Sequence, residues 1–256
     1  MRSARRLLGK KERANDQRFL AEGPQVVTEA LGRPGTVLEV LVAADAVERH
    51  RDLLSVALQG SLRVSTTSAR QLAELTDTVT PQGLVAICRT VDVPLAEALD
   101  HPLRLVVVCD QIRDPGNLGT VIRCADAFGA DAVVITSDSV DLYNGKTVRA
   151  STGSLFHLPI TVDTDLAEAV GVARAAGLQV LGADGAAGRT IDRLGAAGEL
   201  TRPTMWVLGN EAWGLPADRA ALLDGLVALP MYGRAESLNL STAAAVFLYA
   251  SATAQH

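Results

Sequence analysis

Five short aliphatic runs constrain the fold of this chain more than anything else in it. LRLVVVCD (103–110), DAVVITS (131–137), LQVLGAD (178–184), MWVLGN (205–210) and GLVALP (225–230) each carry apolar residues almost without polar interruption. A strand reads this way when both of its faces are covered, and such strands belong to parallel sheets flanked by helices. Ala-rich stretches of helical character separate the runs, so residues 103–256 are expected to form an open, doubly wound α/β sheet. A sheet of this kind takes its ligand outside the carboxyl ends of its strands. At those ends three stretches crowd Gly, Asn and charge together: DQIRDPGNLGTVIRCADAFGAD (110–131), WVLGNEAWGL (206–215) and LPMYGRAESLNLSTAAAVFLYA (229–250). In the last of them a strand end, a polar loop and an Ala-rich helix starting near Leu240 follow without a spacer, and Ser237, Asn239 or Ser241 would cap that helix.

Residues 1–92 read as a smaller α/β domain. FLAEGPQVVTEAL from Phe19 is a strand that turns at Gly23 and Pro24 into a helix, and VLEVLVA (37–43) is a buried strand. A helix near 47–58, a strand near 62–64, a helix over 68–75 and a strand over 84–88 complete it. Residues 93–102, with Pro94 and Pro102, read as a linker. The formal charge of −5 argues mildly against a nucleic-acid partner. Its distribution argues the other way, because Arg2, Arg5, Arg6, Lys10, Lys11, Arg13 and Arg18 precede residue 19, opposed only by Glu12 and Asp16. That run is either a solvated helix face or an arm that tracks phosphates. No apolar run approaches the roughly 18 residues of a membrane span. The N-terminus lacks a signal-peptide core, so the protein is expected to stay in the cytosol, away from membranes. Cys88, Cys109 and Cys124 are far apart and read as core thiols, and the four scattered His residues suggest no metal site.

The rival for a doubly wound sheet is a dinucleotide-binding fold. No GxGxxG follows the first strand: after VVVCD comes QIRDPGNLG, with too few glycines for a pyrophosphate to approach the backbone. The three polar stretches instead resemble, in order and separation, the three motifs of the SpoU-type RNA 2'-O-methyltransferases of the SPOUT superfamily. The matching residues are Asn117 and Arg123 in the first, Gly209, Asn210 and Glu211 in the second, and Ser237, Leu238 and Asn239 in the third. FLAEG and TVTPQGLVAI resemble the ribosomal-protein-like substrate-binding domain that often precedes such a catalytic domain.

The resemblance implies a C-terminal α/β knot, a deep trefoil with a mostly parallel sheet, and S-adenosylmethionine as cofactor. It points to Ala183, Leu208, Gly209, Asn210, Leu229, Met231 and Leu238 for cofactor binding. The catalytic set it implies is Arg123, Asn117, Glu211, Ser237 and Asn239, with Asn117 orienting Arg123 or the ribose. Arg123 is either the base or an electrostatic stabiliser, since a free guanidinium stays protonated up to roughly pH 12. Arg149, with Arg5, Arg6, Lys10, Lys11 and Arg13, is expected to contact RNA, and Trp213 would stack on a base or pack across an interface. Relatives of this type work as homodimers. The implied activity is ribose 2'-O-methylation of 23S ribosomal RNA, with a tRNA substrate or a noncatalytic RNA-binding or ribosome-assembly role as alternatives.

Overall fold

The computed structural model describes residues 1–256, the side chain of Arg2 excepted; that member of the basic run therefore lies outside the described groups. It divides into two compact units, residues 1–91 with 141–157, and residues 92–140 with 158–256. No helix among the described residues is long and apolar enough to cross a membrane.

The first unit holds β1 (Arg18–Glu22), β2 (Val37–Ala43), β3 (Arg63–Thr67) and β4 (Leu84–Arg89) in the order β1-β4-β2-β3. β4 runs antiparallel to both β1 and β2, and β2 runs parallel to β3. Gly23, at φ +91°, makes the turn from β1 into the helix Pro24–Gly32, a conformation that only glycine adopts without strain. Residues 141–157, which the sequence reading placed in the second domain, pack here. Tyr143 lies 4.6 Å from the Phe19 ring and accepts a hydrogen bond from Val91 N at 2.7 Å. Phe156 stacks on Phe19 at 6.1 Å.

The second unit holds β5 (Leu105–Cys109), β6 (Ala132–Thr136), β7 (Ile160–Thr164), β8 (Gln179–Ala183), β9 (Thr204–Leu208) and β10 (Gly225–Val227). Their order is β10-β8-β9-β5-β6-β7, and every pairing is parallel. β5, β6 and β9 are buried along their whole length, as their unbroken aliphatic runs require. The sheet has one strand beyond the five expected. β7, ITVDT, sits at the edge, where one side needs no cover, and it contains Asp163 at φ +52°, so it lacks the aliphatic signature. Residues 93–102, read as a linker, carry a short helix Leu95–Ala98 whose Leu95 and Ala98 are buried in the second unit's core.

Candidate active site

The polar loops follow β5, β9 and β10, all at the carboxyl ends of the second unit's parallel strands. The first is set by a cap: Asp114 Oδ1 accepts from Asn117 N at 2.8 Å, and Pro115 opens the helix Pro115–Ala127 directly after the loop. Asn117 therefore lies in the first turn. Its amide is used at both ends, Nδ2 donating to Glu211 Oε1 at 3.1 Å and Oδ1 accepting from Asn239 Nδ2 at 2.9 Å. Glu211 also accepts the backbone N–H groups of Arg113 and Asp114, each at 3.1 Å. Asn239 is the N-cap of the helix Leu240–Gln255, its Oδ1 accepting from Ser241 N at 2.9 Å. One residue from each loop thus enters a single hydrogen-bonded cluster. Partial burial pushes the Glu211 carboxyl up, but the donors from Asn117 and the Arg113 and Asp114 amides outweigh it, so the group is held below the ordinary carboxylate range.

Beside the cluster is a cavity of about 190 Å³. Ala183, Leu208, Gly209, Asn210, Leu229, Met231 and Leu238 all line it, as do Glu211 and Ser237. Asp184, Gly185, Gly214, Glu236, Leu240, Ala243 and Phe247 complete the wall. The sequence reading assigned none of the last group to the cofactor, although Glu236 belongs to the polar loop before the last helix; Asp184 and Gly185 simply continue the β8 end. The loop 209–215 folds back tightly, with Asn210 N donating to Gly214 O at 3.0 Å and Gly214 N to Asn210 O at 2.9 Å. A Cβ on Gly209 would fall 2.5 Å from the Gly214 carbonyl, so only glycine fits there.

The lining tests which ligand suits the cavity. It is apolar apart from Asn210, Ser237 and the carboxylates Asp184, Glu211 and Glu236, and it contains no Lys, Arg or His. A phosphate would meet negative charge without a cation to offset it. A nucleoside without phosphate that carries a positive centre meets apolar walls and favourable charge, and S-adenosylmethionine is such a molecule.

Other expected residues lie elsewhere. Arg123 is exposed on the Pro115–Ala127 helix and is not among the residues lining the cavity of its own chain. Six residues on from Asn117, it projects roughly 120° away around the helix. The Asn117 amide bonds to Glu211 and Asn239 and so links the three loops. Arg13 is 7 % exposed; its guanidinium donates to Asp141 Oδ2 at 2.5 and 2.9 Å and to the carbonyls of Leu7 and Leu8. It holds the N-terminal helices instead of facing phosphates, because a buried charge must be fully paired. Arg149 pairs with Glu22 at 2.9 Å and is three-quarters covered, which commits it within the first unit. Arg5, Arg6, Lys10 and Lys11 are exposed, with Arg5 paired to Glu74 at 3.0 Å. Burial pushes the thiols of Cys88 and Cys109 up, the latter to about 12 with help from Glu211 and Asp110, so both stay protonated and inert. Among the described residues no group of His, Cys, Asp and Glu has the geometry to hold a metal.

Comparison with known proteins gives the same picture over nearly the whole chain. Residues 1–86 match the MRM3-like substrate binding domain, and residues 104–249 match the SpoU rRNA methylase family. The chain is 36 % identical over 248 residues to the 23S rRNA (guanosine(2553)-2'-O)-methyltransferase RlmP of Bacillus subtilis, covering 96 % of this chain and 92 % of that protein. The crystal structure of the SpoU methyltransferase AviRb from Streptomyces viridochromogenes, in complex with the cofactor AdoMet, superposes with a TM-score of 0.84 at 29 % identity, over 98 % of this chain and 96 % of that one. That of an AdoMet-bound rRNA methyltransferase from Sinorhizobium meliloti does so with a TM-score of 0.81 at 31 % identity, over 98 % and 92 %. With three motif residues from three loops joined in one cluster and a family match over most of the second unit, this chain belongs to the SpoU rRNA methylase family.

Proposed function

We propose that this protein transfers the methyl group of S-adenosylmethionine to a ribose 2'-hydroxyl of ribosomal RNA, with large-subunit RNA as substrate. The observation that carries the reading is the cluster of Asn117, Glu211 and Asn239 beside a cavity whose lining is hostile to phosphate. The substrate class follows the relatives, among them the 23S rRNA 2'-O-methyltransferase RlmP. A cytoplasmic location is part of the same proposal.

Bound in the cavity, the cofactor supplies a methyl group made electrophilic by a positively charged sulfur. Leu208, Leu229 and Leu238 offer apolar walls for its adenine, and Asp184, Glu211 and Glu236 bring negative charge to its cationic portion. Asn117, Glu211 and Asn239 keep the three loops in register, and Ser237 stands at the cavity wall as a polar contact for ribose or methionine. Arg123 is the catalytic group. Its exposure away from the cavity of its own chain goes with a homodimer in which it serves the cavity of a second copy. A protonated guanidinium there stabilises the forming alkoxide electrostatically and so eases loss of the hydroxyl proton. The exposed Arg6, Lys10 and Lys11, with the first unit as a substrate-binding module, supply contacts to the RNA backbone. The trefoil knot belongs to the same proposal.

Mapping ribose methylation across total RNA with and without the protein tests substrate class and position together. Arg123→Ala is expected to lower methyl transfer by more than about a hundredfold while cofactor affinity stays within about twofold. If Arg123→Ala left methyl transfer intact, the catalytic assignment would fall. If the unaltered protein bound RNA but methylated none, a noncatalytic role would replace it.

A further inference from the structure

The buried corner at the end of β5 opens the first polar stretch with Asp110 and Gln111, neither of them a residue matched to the family's motifs above and neither lining the cavity. Asp110, the first residue after β5, is 1 % exposed. Its Oδ1 accepts from Thr136 Oγ1 at 2.8 Å and from Arg219 Nη1 at 2.9 Å. Its Oδ2 is buried and receives no hydrogen bond from any described residue. Gln111, at φ +54°, directs its carbonyl to Asn210 Nδ2 at 2.7 Å, and its N–H to Thr136 Oγ1 at 3.1 Å. Two consecutive residues therefore hold the second polar loop and the short helix after it, Gln111 at Asn210 and Asp110 at Arg219.

We propose that Asp110 and Arg219 are positioning residues for the cofactor cavity: their ion pair pins the far side of the 209–219 segment, so that Gly209, Asn210 and Gly214 form a fixed wall. This rests on the reading that the cavity takes S-adenosylmethionine. The loop 209–215 is stiff within itself, closed by the paired hydrogen bonds of Asn210 and Gly214. A stiff loop held at one side swings; held at both it cannot. The electrostatics agree, because a buried, half-satisfied carboxylate is a poor device for stability alone, and an apolar pair of similar size would serve the fold as well. What the ion pair adds is direction: it fixes where Arg219, and hence the end of the loop, must lie. Burial raises the Asp110 carboxyl above the usual range while Thr136 and Arg219 draw it back. Arg219 reaches the corner from the short helix Ala217–Ala220, which has no motif residue of its own.

The test uses the full-length protein and measures S-adenosylmethionine affinity by calorimetry, steady-state KM and kcat, and thermal stability for Arg219→Gln, Arg219→Lys and Asp110→Asn. Arg219→Gln is expected to raise both the Kd and the KM for the cofactor about tenfold while kcat at saturation falls less than about twofold. Arg219→Lys, which keeps the charge, should recover most of the affinity, and Asp110→Asn should reproduce the loss. If Arg219→Gln does not purify folded, Asp110→Asn and Arg219→Lys decide by the same measurements. Unchanged cofactor affinity with a lowered melting temperature, or a lysine variant no better than the glutamine one, would overturn the proposal while leaving the cavity assignment intact. Failure of the unaltered protein to bind S-adenosylmethionine would instead overturn the cavity assignment, and this inference with it.

Discussion

Glu211 shows how one carboxylate can tie two loops together, with Asn117 passing the link on to the third. It is exposed at its edge yet receives hydrogen bonds from two backbone amides at a helix start and from the Asn117 side chain. Anions are favoured at such a place by the unsatisfied amides and the helix dipole. Because the folded-state carboxyl is held below its ordinary value, its contribution to stability is present above the unfolded pKa of roughly 4.3 and is lost as pH falls through the lowered folded value. Glu211→Gln is expected to lower unfolding free energy at neutral pH by about 1 kcal/mol, a modest figure because solvent screens the site. The difference from the unaltered protein should shrink toward pH 3, as followed by urea denaturation across pH. A difference that stayed constant over that range would mean the charge is irrelevant.

At the scale of the element, the second polar loop and the C-terminal helix carry the site by close approach. The helix Leu240–Gln255 buries Ala244, Phe247, Leu248, Ser251 and Ala252. Phe247 meets the ring of Trp206 at 4.6 Å, and Trp206 Nε1 donates to Ser251 Oγ at 2.8 Å. Short Ala side chains permit that packing, which is why this helix can start at the cavity and still press on β9. The loop relies on Gly209 in the same way. Gly209→Ala would place a Cβ 2.5 Å from the Gly214 carbonyl and 2.8 Å from Leu215 N, contacts that only a backbone shift relieves. The expected result is a loss of about 1–3 kcal/mol in stability and at least about a tenfold loss in cofactor affinity, read by thermal melts and calorimetry. Equal affinity in the variant would show that the tight turn is not needed for the cavity.

For the molecule as a whole, the division into units cuts across the order of the sequence. The polypeptide passes between the units at three places, after residues 91, 140 and 157, because residues 141–157 complete the first unit. They bring Asp141 to the buried Arg13 guanidinium, Tyr143 and Phe156 to Phe19, and His157 to Glu29 at 3.1 Å. Removing one partner of a buried ion pair costs about 3–5 kcal/mol, and a small domain has little to spare. A fragment of residues 1–91 is therefore expected to lack a cooperative unfolding transition, whereas the full chain unfolds cooperatively; circular dichroism against denaturant distinguishes the two. A fragment that melts cooperatively by itself would make 141–157 a passenger on the first unit.

Much of this was legible in the amino-acid order. Aliphatic runs without alternation dictate covered parallel strands, and polar loops at their ends locate a site at the strands' carboxyl ends, since both follow from local patterns of burial and turn chemistry. β5, β6, β8, β9 and β10 appear where those runs lie, and the residues expected around the cofactor line one cavity. The edge strand β7 was not legible, because half of it needs no apolar cover, and neither was the destination of residues 141–157, whose partners Arg13, Phe19 and Glu29 are more than a hundred residues away. The same holds for Arg13 and Arg149. As sequence they are two more positive charges, and only packing decides that one is buried on Asp141 and the other held by Glu22. Residue order thus determined the element types, the sheet and the three loops, which depend on near neighbours. Which charges are spent on structure, how Asp110 meets Arg219, and which way Arg123 points were decided by the tertiary fold, because each depends on a partner that local sequence cannot name.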